Sequence, residues 1–225
     1  MLNTTFDIIL VSNASSEALY NLTRNTILNL KTVEAKVRYN IVVVEQTSRD
    51  YSVQTLHYDF PFNYNRCLNY GISKTSNDYI VLCNNDLNFE RLWAERLLVG
   101  FSMGYRSLSP YCKTASRRWL PQGAHLIEGY NIGIHITGWC IAVKRDVIKE
   151  IGGLCEDVDF WYSDNIYGKQ IEKARIKHAI VCHAYVNHMT SLTLNSNPAD
   201  VKGKYTVAQK KKYDQALIKL FDAKI

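Results

Sequence analysis

Three polar residues, Asn84, Asn85 and Asp86, follow directly after an apolar run at positions 78–83. The run predicts a buried strand, so its end would present one carboxylate and two amides. Oxygen ligands of this kind suit Mg²⁺ or Mn²⁺, and such a cation can neutralise the negative charge of a departing diphosphate. The segment therefore predicts a metal site with Asp86 as the ligand. The alternative is a polar turn, which Asn and Asp also favour.

A second cluster, residues 152–165, combines a Gly-Gly turn with four carboxylates and three aromatic side chains. An attacking hydroxyl group must lose its proton, and a positioned carboxylate can accept it. Asp164, at the start of a predicted helix, is the best candidate for this base, while Trp161 and Tyr162 would stack on the face of a sugar ring. The alternative is an acidic surface loop in which Asp164 stabilises the helix N-terminus.

Histidines lie on and just after the last predicted strand, residues 178–186. His188 follows that strand and could complete a metal site through a neutral ring nitrogen, although a single histidine is more often an ordinary one. His178 and His183 lie five residues apart on the strand, so their side chains point to opposite faces of the sheet. We therefore expect no paired metal site from those two.

The first half of the chain alternates apolar runs with helical patterns. Strands are predicted at 5–11, 39–44, 53–57 and 78–83, and helices from the turn at 12–16 to about 35, at 65–73 and at 89–103. This alternation predicts an α/β fold with a mostly parallel central sheet flanked by helices. Ligands bind such sheets outside the carboxyl ends of the strands. Polar residues at three strand ends, 12–16, 45–50 and 84–86, therefore predict a nucleotide site.

The second half is less regular. The patterns predict a hairpin at 125–136, strands at 138–143 and 178–186, and helices at 146–151, 163–173 and 206–221. Ser163 is the expected N-cap of its helix. We interpret the hairpin as part of a small antiparallel element beside the main sheet. Because no repeat or low-complexity linker interrupts the sequence, we expect residues 1–225 to form a single domain.

The composition is ordinary for a globular protein, with 47% hydrophobic and 21% charged residues and a formal net charge of +6. The positive charge would favour an anionic partner such as a sugar nucleotide or a nucleic acid. No apolar run is long enough to span a bilayer, and residues 1–7 lack the pattern of a secretory signal. Six scattered cysteines without a Cys-x-x-Cys pair predict reduced thiols. We therefore expect a soluble, cytoplasmic protein with no membrane partner.

The order of these motifs resembles that of the family 2-type glycosyltransferases, which have the GT-A fold, over about residues 6–193. The resemblance rests on Val11-Ser12-Asn13, the run 42–50, the asparagine-rich helix at 65–72, Asn84-Asn85-Asp86 at the family's Asp-x-Asp motif, the blocks 138–145 and 152–165, and His188. Each motif is degenerate, so their order and spacing carry the resemblance. It implies a donor half at about 1–105 and an acceptor half at about 106–225.

The resemblance implies a nucleotide-sugar donor, with a UDP-sugar favoured, a Mn²⁺ or Mg²⁺ cofactor, and inversion at the anomeric carbon. The roles carried over by position are donor binding by Val11, Ser12, Asn13, Glu45, Asn65, Asn84 and Asn85, metal binding by Asp86 and His188, and base catalysis by Asp164. Acceptor binding is expected of Trp161, Tyr162 and Trp139. The chain departs from the family pattern at Glu45, where Asp is usual, and at Asn84, which replaces the first Asp of the metal motif.

The acceptor is specified less well than the donor. Cations and an aromatic residue are interleaved at 113–119, and further lysines lie at 202, 204 and 210–212. This pattern suits a phosphate backbone. One hypothesis is therefore a transferase that glycosylates a hydroxymethylated base in DNA, as some phage enzymes do in the host cytoplasm, after flipping the base out. A solvated helix face also explains the lysines, and a glycan or a protein is the alternative acceptor.

Two other classes of protein remain open. A nucleotidyltransferase can share a similar sheet and metal carboxylates, but the turn at 12–16 lacks the glycines of its phosphate loop. A basic nucleic-acid-binding protein with a degenerate transferase fold is the non-enzymatic alternative. It stays open because Asn84 leaves the metal motif with a single carboxylate.

Overall fold

The computed structural model describes residues 4–113, 123–189 and 199–222, with side chains from Thr206 onward in the last range. Its strands are β1 Thr5–Ser12, β2 Arg38–Glu45, β3 Gln54–His57, β4 Tyr79–Cys83, β5 Leu87–Phe89, β6 Ser107–Tyr111, β7 Leu126–Glu128, β8 Cys140–Lys144 and β9 His178–His188. Its helices are α1 Glu17–Thr32, α2 Tyr64–Ser73, α3 Trp93–Ser102, α4 Arg145–Glu150, α5 Ser163–Lys173 and α6 Ala199–Asp222.

The first four strands form a parallel block in the spatial order β3-β2-β1-β4. β8 joins β4 in the antiparallel direction, and the sheet continues through β6 and β9 to β5. β7 pairs with β9 off this path. The mixed α/β sheet flanked by helices confirms the predicted fold class, with parallel pairing in the first half and antiparallel pairing entering with the second.

Both faces of the central strands are buried. Ile8 and Leu10 of β1 point to a core that includes Trp93 of α3, whereas Ile9 and Val11 point to a core that is covered by α2, α4 and α5. Successive side chains of a strand alternate between the two faces of its sheet. A strand that is covered on both sides therefore appears in the sequence as a continuous apolar run, which is why β1 and β4 are recognisable there.

Helix α2 lies close against β1. A Cβ atom added to Gly71 would be only 2.5 Å from Ile9 Cγ2, so a larger residue would push the helix away from the strand. Asn63 caps the helix, because its side-chain oxygen accepts a hydrogen bond of 2.9 Å from the backbone N–H of Arg66. The cap holds the first turn of α2, and the close approach at Gly71 holds its last turn against β1.

Two predictions of local structure are wrong. Residues 125–136 do not form a hairpin, because β7 pairs with the distant strand β9. Ser163 is the first residue of α5 rather than its N-cap, and the cap position belongs to Tyr162, whose backbone is left-handed with φ of 68°. Turn residues in the sequence indicate where the chain bends, but they do not show which distant strand edge is free for pairing.

Two strands, β5 and β6, were not predicted. β5 has three residues, too few for an alternating pattern to be visible, and β6 contains Pro110. β5 is nevertheless important for the site, because it pairs antiparallel with β9 and sets Leu87 opposite His188. The turn at 84–86 is thereby held beside the end of β9.

All six cysteines are free thiols, as predicted. Cys83 and Cys140 face each other on the paired strands β4 and β8, with their sulfur atoms 3.7 Å apart. Within the described ranges, no helix combines the length and the apolar character needed to cross a membrane. Of the predicted basic segment 113–119 only Lys113 is described, and the side chains at 202 and 204 also lie outside the described part.

Candidate active site

Asp86 and His188, the predicted metal ligands, lie side by side. Their elements are joined by the pairing of β5 with β9, and the backbone N–H of Met189 donates a hydrogen bond of 2.9 Å to the carbonyl oxygen of Asp86. His188 Nε2 is 3.1 Å from Asp86 Oδ1, and the two side chains are 13% and 6% exposed. The structure therefore brings together one carboxylate and one imidazole at the carboxyl end of the sheet.

The pair fits a divalent cation. Among the described residues, Asp86 Oδ1 is buried without a hydrogen-bond partner, although His188 Nε2 lies 3.1 Å from it. Two neighbouring ligand atoms, each about 2.1 Å from an octahedral ion, lie about 3 Å apart. The distance of 3.1 Å between His188 Nε2 and Asp86 Oδ1 is close to this value. No group of three or more His, Cys, Asp or Glu that could hold a metal occurs in the described ranges. Among the described His, Cys, Asp and Glu residues, Asp86 and His188 are therefore the two that would hold a cation here.

Trp139 supports His188. The indole ring stacks on the imidazole ring with 5.6 Å between the centroids and 13° between the planes. The carbonyl oxygen of Trp139 also accepts a hydrogen bond of 2.9 Å from the backbone N–H of Asn84. One face of the Trp139 ring is thus occupied by His188, so this residue, predicted to bind the acceptor, also orients a predicted metal ligand.

Asn84 and Asn85 point to different partners. The phenol of Tyr64 donates a hydrogen bond of 2.8 Å to Asn84 Oδ1. The side-chain amide of Asn85 donates to Thr23 Oγ1 at 2.9 Å, and its carbonyl oxygen accepts from Thr26 Oγ1 at 2.8 Å. Asn85 therefore faces helix α1 and anchors the turn. The two residues were grouped as donor-binding, but the amide of Asn85 is already bonded within the protein.

Glu45 is completely buried, and its hydrogen bonds come from the protein itself. Its Oε1 accepts from the backbone N–H groups of Ala14 and Thr47 at 3.0 and 2.8 Å, and its Oε2 accepts from the Tyr51 hydroxyl at 2.9 Å. Burial acts to raise the pKa of Glu45, but the hydrogen bonds from Ala14, Ser12 and Thr47 outweigh it and hold the pKa below its ordinary value. Glu45, which was predicted to bind the donor, therefore positions the turn after β1 in this structure.

The turn after β1 joins the other predicted donor residues. Ser12 is paired in register with Glu45, and its hydroxyl lies 2.9 Å from Thr23 Oγ1 and 3.0 Å from the Tyr51 hydroxyl. Thr23 in turn accepts the amide of Asn85, so it connects the ends of β1 and β4. Val11 is buried, whereas Asn13 is exposed. Neither Thr23 nor Tyr51 was predicted, because nothing in the local sequence marks them.

Asp164 lies in a cavity between α2, α5 and the segment before β8. The lining residues are Tyr64, Asn65, Leu68, Leu82, Gly138, Ile141, Leu154, Ser163, Asp164 and Tyr167. Burial raises the pKa of Asp164 above its ordinary value, although a hydrogen bond of 2.9 Å from the backbone N–H of Asn165 opposes the shift. A carboxylate with a raised pKa is a stronger proton acceptor, which suits a general base.

The asparagines of α2 hold the loop that leads to Asp164. Asn65, predicted to bind the donor, donates its amide hydrogen to the carbonyl oxygen of Cys155 at 2.7 Å, although it also lines the cavity. Asn63 donates to the carbonyl oxygens of Glu156 and Val158, and Asn69 to that of Leu154. The asparagine-rich pattern therefore serves to position this loop.

The predicted acceptor aromatics lie at the start of α5. Tyr162 stacks on Tyr213 of α6, with 5.0 Å between ring centroids and 16° between planes, so one of its faces is already covered. Trp161 is partly exposed and contacts the ring of Phe160 at 5.6 Å. Phe160 packs edge-on against Tyr64 at 5.7 Å. An aromatic path thus leads from Trp161 to the cavity of Asp164.

Tyr64 connects the two halves of the site. Its hydroxyl binds Asn84, and its ring lines the cavity of Asp164. Burial is the largest cause that raises the pKa of Tyr64 well above its ordinary value, and the nearby charges of Asp86 and Asp164 add to it. Sequence patterns do not indicate this role, because Tyr64 is a single aromatic residue at the start of a helix.

No protein-family model matches the sequence, and none of the curated proteins matches it. Solved structures do match the fold. GalNAc-T7, crystallised with UDP, GalNAc and Mn²⁺, gives a TM-score of 0.66 at 12% identity over 88% of this chain and 45% of that one. TarS of S. aureus gives 0.55 at 11% identity over 80% of this chain and 37% of that one. The chain spans less than half of either protein, and likeness at this identity establishes the predicted GT-A-like fold alone.

Proposed function

We propose that the chain is a glycosyltransferase that moves a sugar from a nucleoside diphosphate to an acceptor hydroxyl group. The observation that carries the proposal is the buried Oδ1 of Asp86, which has no hydrogen-bond partner in the part of the chain that the structure describes and lies 3.1 Å from His188 Nε2 at the carboxyl end of the sheet. The fold supports it, since GalNAc-T7 was crystallised with UDP and Mn²⁺. A UDP-sugar is therefore the favoured donor, and Mn²⁺ or Mg²⁺ the favoured cation.

Asp86 and His188 are proposed to hold the cation, and the stacked ring of Trp139 keeps the imidazole of His188 in place. A cation held there would neutralise the negative charge that develops on the departing diphosphate. Asn85 anchors the turn through Thr23, so that Asp86 does not have to be ordered when the donor binds.

Asp164 is proposed as the general base of an inverting displacement. The acceptor oxygen would bond to the anomeric carbon while the bond to the diphosphate oxygen breaks, and the hydroxyl proton would pass to the Asp164 carboxylate. Asp164 is the only carboxylate among the residues that line the described cavity, which supports a single displacement over a covalent intermediate. Burial raises the pKa of Asp164, which makes its carboxylate a stronger proton acceptor.

The acceptor is proposed to reach Asp164 along the aromatic path from Trp161. Several described lysines of α6 are paired with carboxylates: Lys210 with Asp214, Lys212 with Asp159 and Lys219 with Asp157. This pairing weakens the basic surface that a phosphate backbone would need and supports a glycan or protein hydroxyl. The formal net charge of +6 keeps hydroxymethylated DNA as the second acceptor to be tested.

A transfer assay tests the proposal. Labelled UDP-sugars are incubated with the protein, with Mn²⁺ or EDTA, and with oligosaccharides, hydroxymethylated duplex DNA or unmodified duplex as acceptors. We expect turnover that depends on Mn²⁺ and is lost in Asp86→Ala, whereas the control Asp214→Ala, an exposed carboxylate on α6, keeps it. Equal turnover in Asp86→Ala and wild type, or no turnover of any nucleotide sugar, would contradict the function.

A further inference from the structure

A completely buried histidine, His178 at the start of β9, is bonded through both of its ring nitrogens. Nδ1 lies 2.7 Å from the hydroxyl oxygen of Ser107 on β6, and Nε2 lies 3.0 Å from the backbone carbonyl oxygen of His135. Burial of an imidazole costs free energy unless its polar atoms are paired, and here both are. The reaction proposed above makes no use of this residue.

The direction of each hydrogen bond follows from the partners. A carbonyl oxygen can only accept, so Nε2 of His178 carries the hydrogen and donates it to His135. Burial lowers the pKa of His178 to about 4, so the ring is neutral near pH 7 and its Nδ1 is an acceptor. The Ser107 hydroxyl therefore donates to Nδ1, and its oxygen accepts from the hydroxyl of Tyr167 at 2.6 Å. One ring thus sets the direction of a chain of three hydrogen bonds.

The chain of hydrogen bonds reaches the proposed base through helix α5. Tyr167 lies three residues after Asp164 on this helix, and both side chains line the same cavity. Residues three apart on a helix lie on the same face. The buried bond from Tyr167 to Ser107 therefore anchors to β6 the face of α5 that carries Asp164.

His178 also holds the segment before β8. The carbonyl oxygen of His135 is the acceptor of its Nε2–H, and Ser109 Oγ lies 3.3 Å from the same nitrogen. The Ser109 hydroxyl oxygen in turn accepts a hydrogen bond of 3.0 Å from the backbone N–H of Thr137. Ser109 and Thr137 are buried, so the backbone of residues 135–137 is fixed at two points around the His178 ring.

Asp164 lies where these two connections meet, because its carboxylate packs against the backbone of Gly138, the residue after Thr137. We propose that His178 is a positioning residue for Asp164, which it holds by tying α5 and the segment 135–138 to one ring. This inference rests on the proposed function, in which Asp164 is the general base. His178 does not line the cavity of Asp164, so it acts through Tyr167 and through the backbone beside Gly138.

Three variants test the two connections. His178→Leu removes both ring nitrogens, whereas His178→Gln keeps one hydrogen-bond acceptor and one donor on neighbouring atoms. Tyr167→Phe removes one hydroxyl group and breaks only the connection to α5. The matched controls are His183→Gln, on the exposed side of the same strand, and Tyr105→Phe, which removes an exposed hydroxyl bonded to Glu128. Circular dichroism confirms that each variant is folded.

Three quantities are measured on wild type and on each variant. Nitrogen-15 NMR of labelled histidine shows which ring nitrogen of His178 carries the hydrogen near pH 7. Carbon-13 NMR of labelled aspartate gives the pKa of the Asp164 carboxyl, whose signal is identified by its absence in Asp164→Asn. Kinetics of sugar transfer give kcat and KM, and calorimetry gives the Kd of UDP.

We expect the ring hydrogen of wild-type His178 on Nε2. In His178→Leu the pKa of Asp164 should fall toward the ordinary value of about 3.9, because a loosened cavity admits water. The kcat of this variant should fall about tenfold, less than the effect of about 100-fold that a full displacement of 1 Å has. Tyr167→Phe should change both quantities in the same direction, while His178→Gln should recover most of each. The Kd of UDP should change less than about twofold throughout, and the controls should match wild type.

The inference is overturned if the ring hydrogen is found on Nδ1, or if folded His178→Leu keeps both the Asp164 pKa and the kcat of wild type. It is also overturned if His178→Gln is as impaired as His178→Leu, because the hydrogen bonds would then not be responsible. If His178→Leu does not fold, Tyr167→Phe decides by the same measurements. Failure of the proposed function is distinguishable, since wild type would then transfer no sugar while the Asp164 pKa would still respond to His178.

Discussion

Gly138 lies directly against Asp164. A Cβ atom added to Gly138 would be 2.6 Å from Asp164 Oδ2 and 2.7 Å from its Cβ, which is closer than such atoms approach. The base proposed for the reaction is therefore held in place by the absence of a side chain on the segment that leads into β8. Any larger residue at this position would have to displace the carboxylate.

Gly138→Ala should lower the rate of sugar transfer about 100-fold, because a displacement of about 1 Å at a reacting group has an effect of that size. Binding of UDP, measured by calorimetry, should be unchanged. Gly168→Ala is the matched control on α5, since the nearest atoms to its added Cβ would be the movable tips of Ile136 at 3.0 Å and Ile132 at 3.4 Å. A Gly138→Ala protein with wild-type turnover would show that Asp164 is not the base.

The pH dependence of transfer should report Asp164. Burial raises its pKa, and the base acts in its deprotonated form, so kcat/KM should rise with pH through a value above about 3.9, the ordinary pKa of Asp. Asp164→Asn should reduce kcat about 100-fold or more and remove this acidic limb. The pH dependence is measured as kcat/KM of wild type and of Asp164→Asn between about pH 4 and pH 8. An acidic limb that persists in Asp164→Asn belongs to another group.

His178 should make the protein sensitive to acid. It is completely buried, its Nε2 lies 3.0 Å from the carbonyl oxygen of His135, and its Nδ1 lies 2.7 Å from Ser107 Oγ, so it is held in the neutral form. Burial is the largest cause that lowers its pKa to about 4. In the unfolded chain a histidine has a pKa of about 6.5, so on acidification it binds a proton at a higher pH than His178 does in the folded protein. The free energy of unfolding is therefore highest above about pH 6.5 and decreases as the pH falls toward the lowered pKa of the folded protein.

From about pH 7.5 to pH 5 this one histidine should cost about 2 kcal/mol of the free energy of unfolding. Urea unfolding at several pH values measures the loss. His178→Gln should be less stable at neutral pH and should lack this part of the pH dependence. His183→Gln, on the exposed face of the same strand, should keep it. If both variants lose stability with acid as wild type does, His178 is not responsible.

Glu45→Gln should destabilise the protein by about 2 kcal/mol, because the amide cannot accept all the hydrogen bonds that Ala14, Thr47 and Tyr51 donate to the carboxylate. The pKa of Glu45 is lowered, so its contribution is present above the ordinary glutamate pKa and is lost as pH falls through the lowered value. Urea unfolding near pH 7 measures the change. Glu17→Gln, an exposed carboxylate paired with Arg49, should change stability by less than about 0.5 kcal/mol. Equal stability of both variants would exclude this role for Glu45.

The sequence predicted the position of a residue well where that position depends only on the strand to which the residue belongs. The ends of β1, β2 and β4 were predicted within one or two residues, because their apolar runs are buried on both faces, and the neighbouring ends follow from parallel pairing. The proximity of Asp86 and His188 was predicted from the family resemblance alone. In the structure it depends on β5, which is too short to be recognised in the sequence.

The sequence was uninformative about which partner each polar group finds. Glu45 and Asn85 were expected to face the nucleotide, yet their hydrogen bonds go to the turn after β1 and to helix α1. Whether a carboxylate or amide is free depends on donors brought from elsewhere in the chain, such as Tyr51 and Thr23. The hairpin predicted at 125–136 failed for the same reason, because the edge of β9 was available to β7.

The first turns of α2 set the spacing between the turn after β4, which carries Asp86, and the cavity that contains Asp164. Tyr64 is bonded to the turn after β4, while Asn63, Asn65 and Asn69 hold backbone carbonyl groups of the loop before α5, and the only side chain of that loop that they bind is Glu156, which contacts Asn69. Because backbone carbonyls are the same for every residue type, substitutions at 157–161 would preserve these anchors. If the proposed function is right, specificity for one hydroxyl compound over another can diverge among descendants of this chain while the geometry at the turn after β4 stays constant.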